Sequence, residues 1–540
     1  MVRDTSPKLD MGAHLTRRCR QLLALAGYAA RKGRTDADLT RPFLADLQAQ
    51  ASLVEELLDA YGARQNRLWY PVRAAVSAIR QFSTVQYELL HIRYSLPSYC
   101  LLAVDKPFEP ATEKAMAFCG GRLRQYCGEL LIVARQRGLK IPRALTAVQE
   151  YAEQVPAIRL PHDRKSRAAQ SVGEIVSRLA TAYLNLAAES DLVHAPAQAA
   201  AQEYQRCIPD PISEESLRQL EDRFHSLQSL YDTHVQETET EDLDAQLPVL
   251  RGHISVVMHL LRTATSLCHF YQRHLQNAAP PARAAAVRGK SPTGASAAGA
   301  SPAAPSPSAC PPAGVPCQPL LEVLMNYSIA FASQFIVEAK GLCQEMLKRY
   351  SNVGTMQLPV PRYRGFHVRP ATLLAKIVQH YGSQVQMELD DESYDASSPI
   401  EIFRANERIN AAKRWWLSRE VSALAGVQEA PDNCDLESLV RRVVITLAAK
   451  GVLVIYRQPL ELPPQPAAAS GTVLQRIIQE LSQLQATGKI DIAADLWARF
   501  SGDHRVLHDI ALLAHAGYGE DNYGNNVELP RELTYLRQKE

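Results

Sequence analysis

The chain has 540 residues, more than one ordinary hydrophobic core supports, so two to four domains are expected. With 46% hydrophobic and 21% charged residues it has an ordinary soluble composition. A formal net charge of +2 gives no general case for a nucleic-acid or anionic-membrane partner. Ten cysteines are scattered without a Cys-x-x-Cys pair, which argues against a zinc ribbon or a dithiol redox motif. No apolar run reaches the ~18 residues of a membrane span, and no signal-peptide pattern is present. The expectation is a cytoplasmic protein with no membrane insertion.

From Leu15 to about Gln276 the pattern is helical nearly throughout. Val54, Leu57, Leu58 and Tyr61 follow i, i+3, i+4, i+7, and Gly62 offers a stop. Leu217, Leu220, Phe224, Leu227 and Tyr231 keep heptad spacing, as do Leu250, Ile254, Val257, Leu261, Ala264, Cys268 and Tyr271. Prolines from Pro71 to Pro248 punctuate the segments. Such stripes must be buried, so residues 1–276 read as an all-α helical bundle of roughly seven to nine helices. Residues 277–318 are dominated by Ala, Pro, Ser and Gly, a composition that cannot bury enough apolar surface to offset chain entropy. They read as a disordered linker with a reach of roughly 35 Å. Residues 319–350 read as a connecting helix with an approximate apolar face at Leu324, Tyr327, Phe331, Phe335, Val337 and Leu342.

A strand expected around Met356 to Tyr363 leads into Arg364-Gly365-Phe366-His367-Val368-Arg369-Pro370-Ala371-Thr372. Pro370 suits a first helical turn, and Ala371, Leu374, Val378 and Tyr381 recur at helical spacing before Gly382. His367 therefore falls at a helix start, where free N–H groups and the positive end of the helix dipole face outward. An imidazole there can act as a nucleophile, and a phosphoryl group on it would meet backbone donors and the Arg369 fork. Downstream come an alternating strand, Gln384 to Leu389, a polar turn and a second strand, Tyr394 to Ser397. Ser398-Pro399-Ile400 then opens a further helix.

The Gly-Phe-His-Val-Arg-Pro-Ala run resembles the active-site signature of HPr, the histidine phosphocarrier of the phosphoenolpyruvate-dependent sugar phosphotransferase system, whose pattern is Gly-Leu-His-x-Arg-Pro-Ala. The resemblance implies an α+β domain with a four-stranded sheet and helices on one face, here over residues 351–490 with an insertion. It makes His367 the phosphoacceptor and Arg369 its charge partner, with the helix start at Val368 and Arg369 holding the phosphate. It implies Enzyme I and a sugar-specific phosphoacceptor protein as partners, and no cofactor. It also places a regulatory serine at Ser398, the target of a serine kinase, although Pro399 stands where the family has an aliphatic residue.

Beyond Ser398 the interval is longer than in a minimal family member. Phe403 to Leu417 and Asp435 to Lys450 read as helices. Val452 to Tyr456 is taken as the family's fourth strand and Val473 to Gln485 as its last helix; the alternative makes Arg442 to Leu447 the fourth strand. Residues 491–540 read as a helical tail, in which His504 and His508 could share a metal but lack a third ligand, so no metal site is assigned. Arg362, Arg364, Arg404 and Arg408 are candidates for a basic rim around His367, and Trp415 and Trp416 for core or domain contacts. Two functional readings stay open. One is a phosphocarrier acting between Enzyme I and a sugar permease component. The other is a regulatory or scaffold protein in which the HPr-like part serves the helical half as a switch or as a degenerate interaction module. No Walker motif, Gly-rich phosphate loop or Ser/His/Asp order suggests a stand-alone enzyme.

Overall fold

The computed structural model of the protein describes residues 11–33, 35–142, 151, 171–190, 192, 199–236, 239–276, 317–431, 435–456, 471–493 and 495–537. Of the expected linker, residues 277–316 lie outside the described residues, and 317–318 begin a helix. The chain divides into two compact units: Met1–Ile175 with Ser190–Leu342, and Val176–Glu189 with Cys343–Glu540.

Regular structure described in the first unit is helical. It comprises α1 (Met11–Arg18), α2 (Arg20–Ala29), α3 (Arg41–Ala60), α4 (Tyr70–Tyr99) and α5 (Phe108–Gln136). After α6 (Val172–Glu189), which falls almost wholly in the second unit, come α7 (Ala201–Arg206), α8 (Glu214–Tyr231), α9 (Leu247–Phe270) and α10 (Cys317–Glu322). Local sequence sets the helix starts. The Thr40 hydroxyl accepts from the Phe43 N–H ahead of α3, and Ser213 and Ser216 form a reciprocal capping box at α8. The heptad stripe of α9 is fully buried at Leu250, Ile254, Val257, Leu261, Ala264 and Cys268, where α9 meets α4 and α8. Gly252 permits the closest approach: a Cβ there would stand 1.8 Å from the Tyr99 carbonyl oxygen.

The expected connecting helix runs Cys317–Arg349 as α10, a π-helical turn (Val323–Ile329) and α11 (Ala330–Arg349). Its length and a mean hydropathy of 1.5 would suit a membrane span, but 72% of that window is buried inside the protein.

The second unit is α+β. Its sheet holds β1 (Val353–Pro359), β2 (Gln386–Leu389), β3 (Glu392–Asp395) and β6 (Trp497–Asp503), in the order β1-β6-β2-β3 with antiparallel pairs throughout. Phe500 of β6 lies opposite both Met356 and Met387. Leu358, Met387, Leu389, Tyr394, Ala498 and Phe500 are buried, while Gln357, Glu392, Trp497 and Arg499 are exposed, as expected of a sheet with one covered face. α12 (Val368–Tyr381) packs with α18 (His504–His515), and α18 packs on β1 and β6. Residues 176–189 of α6 join this unit through Ser177, which accepts from Arg505, and Asn185, which meets His380 at 2.9 Å.

The back half departs from the expected strand assignment. Between α13 (Pro399–Arg404) and β6 lie α14 (Asn406–Ser422), α15 (Ala425–Gln428), α16 (Leu436–Ala449), β4 (Leu453–Ile455), α17 (Val473–Ala486) and β5 (Ile490–Ile492). β4 pairs with β5 in a separate two-stranded ribbon, Leu453 opposite Ile492. These elements share their own core, including Leu417, Val440, Val444, Ile477, Leu481 and Ile490. The run 452–456 is therefore not the fourth strand of the sheet, and 473–485 is not the helix that follows that strand. Arg442 to Leu447, the alternative, is helical within α16. The fourth strand is β6 and the helix after it is α18, so the expected 490/491 boundary cuts the β4–β5 ribbon and assigns a central strand to a tail.

Candidate functional site

The loop from β1 to α12 is built by two left-handed residues in succession, Arg364 (φ 56°) and Gly365 (φ 61°). Glycine is required at the second, because a Cβ would stand 2.3 Å from Asn406 Oδ1. The Arg364 N–H donates to Asp491, the middle residue of β5. Asp491 is itself paired with the fully buried Lys413 of α14 at 2.9 Å and accepts from Gln485 of α17 at 3.3 Å. Burial pulls the Lys413 ammonium below the ordinary lysine range, and Asp491 opposes the shift. Elements α14, α17 and β5 thus hold the loop that carries the motif. Phe366, buried, meets the Tyr518 ring edge-on at 5.5 Å, and the Tyr518 hydroxyl donates to the Pro359 carbonyl at 2.7 Å.

His367 is the N-cap residue of α12 and its side chain is 25% exposed. The free N–H groups of the first turn belong to Val368 and Arg369, since Pro370 has none. No side chain caps them. Glu520, in the turn after α18, places Oε2 2.8 Å from His367 Nε2 and Oε1 3.4 Å from Arg369 Nε. A carboxylate and a carbonyl only accept, and each ring nitrogen faces one of them, so the contacts direct a hydrogen from Nε2 to Glu520 without assigning a free lone pair to Nδ1. Nδ1 stands 3.3 Å from the Gly365 carbonyl. Arg369 Nη1 is buried and has no partner among the described residues. An imidazole, two free amides and a spare guanidinium donor at one helix start can receive an electrophile and hold its oxygens.

His367 also borders a cavity of about 200 Å³ between the β1–α12 loop, Tyr456 at the end of β4 and the turn from Gly517 to Gly524. Arg362 and Arg364 of the expected basic rim line it. Arg404 and Arg408 do not: they pair with Glu401 and Glu392. Ser398 caps α13, its hydroxyl accepting from the Glu401 N–H at 3.4 Å, and lies outside the cavity. His504 and His508 are exposed on α18. Trp415 is 65% exposed, whereas Trp416 packs against the core of the inserted elements.

Sequence reasoning missed Glu520, Tyr456, Lys413 and Asp491. The one available signal was the turn-rich run Gly517-Tyr518-Gly519-Glu520-Asp521-Asn522-Tyr523-Gly524, which marks a built loop without saying what it reaches. No family model, no curated protein and no solved structure matches the chain.

Proposed function

We propose that the second unit is an HPr-like phosphocarrier module that accepts a phosphoryl group from Enzyme I on His367 and passes it on within a phosphotransferase system. The observation that carries this reading is the placement of His367 at the start of α12, with Nε2 2.8 Å from Glu520 and Arg369 beside it. Element order supports it too: strand, helix, two strands and a short helix precede the inserted elements, and a strand and a helix follow them. In the proposed step Nδ1 attacks phosphorus, the N–P bond forms as the donor's bond to phosphorus breaks, and the Nε2 hydrogen stays with Glu520. The Val368 and Arg369 amides and the Arg369 guanidinium hold the phosphoryl oxygens. Val368, Ile400 and Phe403 are exposed on the adjoining helices α12 and α13, an apolar face suited to docking a protein donor and then a sugar-specific acceptor. Such transfer belongs in the cytoplasm.

A second reading is favoured by the size of the helical unit: phosphorylation of His367, or of Ser398 by a serine kinase, serves as a switch or an interaction signal for that unit rather than as a relay. Full-length protein incubated with phosphoenolpyruvate and Enzyme I should gain one acid-labile phosphoryl group. Onward transfer to a permease component supports the relay, and a stable label supports the switch. Absence of label from the wild type removes both His367 readings.

A further inference from the structure

We propose that the cavity beside His367 is a binding pocket for a small oxyanion, a phosphate or carboxylate group, with Arg364 as its main cation and Arg362 as its second. Charge accounting inside the cavity carries this. Two guanidinium groups, Arg362 and Arg364, and two carboxylates, Glu520 and Asp521, line it. Both carboxylates are already engaged. Glu520 serves His367 and Arg369. Asp521 accepts from the Tyr523 and Asn525 amides at 2.9 and 2.8 Å and from Asn525 Nδ2 at 2.8 Å. Neither Arg362 nor Arg364 has a carboxylate partner among the described residues. Neutral amides leave the Asp521 charge in place, so among the described residues two guanidinium groups face one carboxylate that no cation matches, a net positive excess.

Arg364, although exposed, is also pre-positioned. Its left-handed backbone is held by Asp491, whose charge is held by buried Lys413. Its guanidinium lies 4.4 Å from the centre of the Tyr456 ring and close against Gly524, where a Cβ would stand 2.5 Å from Nη1. A buried ion pair is weak support for stability and is better explained as a positioning device. Asp491 and Lys413 thus set the Arg364 backbone, and Tyr456 with Gly524 flanks its guanidinium. A fixed planar fork matches two oxygens of a phosphate or carboxylate. A cavity of about 200 Å³ has room for a small organic anion.

The test is a titration of the full-length protein with methyl phosphate, followed by phosphorus NMR line width, and with acetate, followed calorimetrically. Saturable one-to-one binding of either anion is expected, and the arm that saturates identifies the group. Arg364→Asn keeps a residue that tolerates positive φ and removes the guanidinium; it should weaken binding about tenfold or more at an unchanged melting temperature. Should that variant unfold, Arg362→Gln, at an exposed position, reads the same pocket and should weaken binding about threefold. Absence of phosphoryl labelling from the wild type, with Arg364-dependent binding retained, would remove the phosphocarrier reading and leave the pocket standing. Wild type that saturates with neither anion, or a folded Arg364→Asn that binds as wild type does, overturns the proposal.

Discussion

Glu520 sits at the junction of the two residues the motif names, 2.8 Å from His367 Nε2 and 3.4 Å from Arg369 Nε. Glu520→Gln keeps the shape but offers an amide that can donate as well as accept, so the short contact no longer requires a hydrogen on Nε2. Phosphoryl labelling should slow about tenfold, and imidazole nitrogen NMR should show the hydrogen distributed over both nitrogens. An unchanged nitrogen spectrum would remove Glu520 from this role. Arg369→Lys keeps the charge and loses the fork. At ~1.5–3 kcal/mol for hydrogen bonds to a charged group, single-turnover transfer should slow by roughly one to two decades with the melting temperature retained. The motif residues were legible because they are contiguous and open a helix. Glu520 was not, because only the folded chain decides which of many carboxylates reaches the ring.

At the scale of elements, β6 shows what periodicity can and cannot give. Trp497 to Phe500 alternates exposed and buried, but Arg499, Ser501, Gly502 and Asp503 make the strand look polar. Val452 to Tyr456 is a continuous apolar run and reads more strongly, yet it serves a two-stranded ribbon in a separate core. Local pattern identifies a strand; its partner is set by the rest of the fold. Phe500, fully buried between β1 and β2, offers the check. Phe500→Ala should destabilise the second unit by ~3–5 kcal/mol in urea, whereas a surface strand would lose less than ~0.5. The helical unit carries a different signature. Burial pushes His91 down to about 4, with His259 adding repulsion, and burial with Arg73 nearby does the same to His274. Both are neutral when folded, while the unfolded chain takes up protons near pH 6.5. The stability they contribute is thus complete above pH ~6.5 and is lost as pH falls toward 4. Melting followed by far-ultraviolet circular dichroism should drop between pH 7 and 5, less so in His91→Gln; equal melting temperatures at both would contradict this assignment.

Over the whole molecule, an all-helical region followed by an α+β region was readable from the switch in hydrophobic period, and the heptad stripe of α9 proved to be core. Unit boundaries were less readable. Residues 176–189 belong with the sheet, through a bond from Arg505 to Ser177 and the pairing of His380 with Asn185, across separations no local pattern records. The insertion was seen as extra length, but its ribbon, core and grip on Arg364 depend on contacts between residues far apart in sequence. The central claim is that His367 is a phosphoacceptor, and acid-labile labelling of the full-length protein by phosphoenolpyruvate and Enzyme I tests it most directly. One phosphoryl group on the wild type and none on His367→Ala is the predicted result; equal labelling of the two proteins would contradict it.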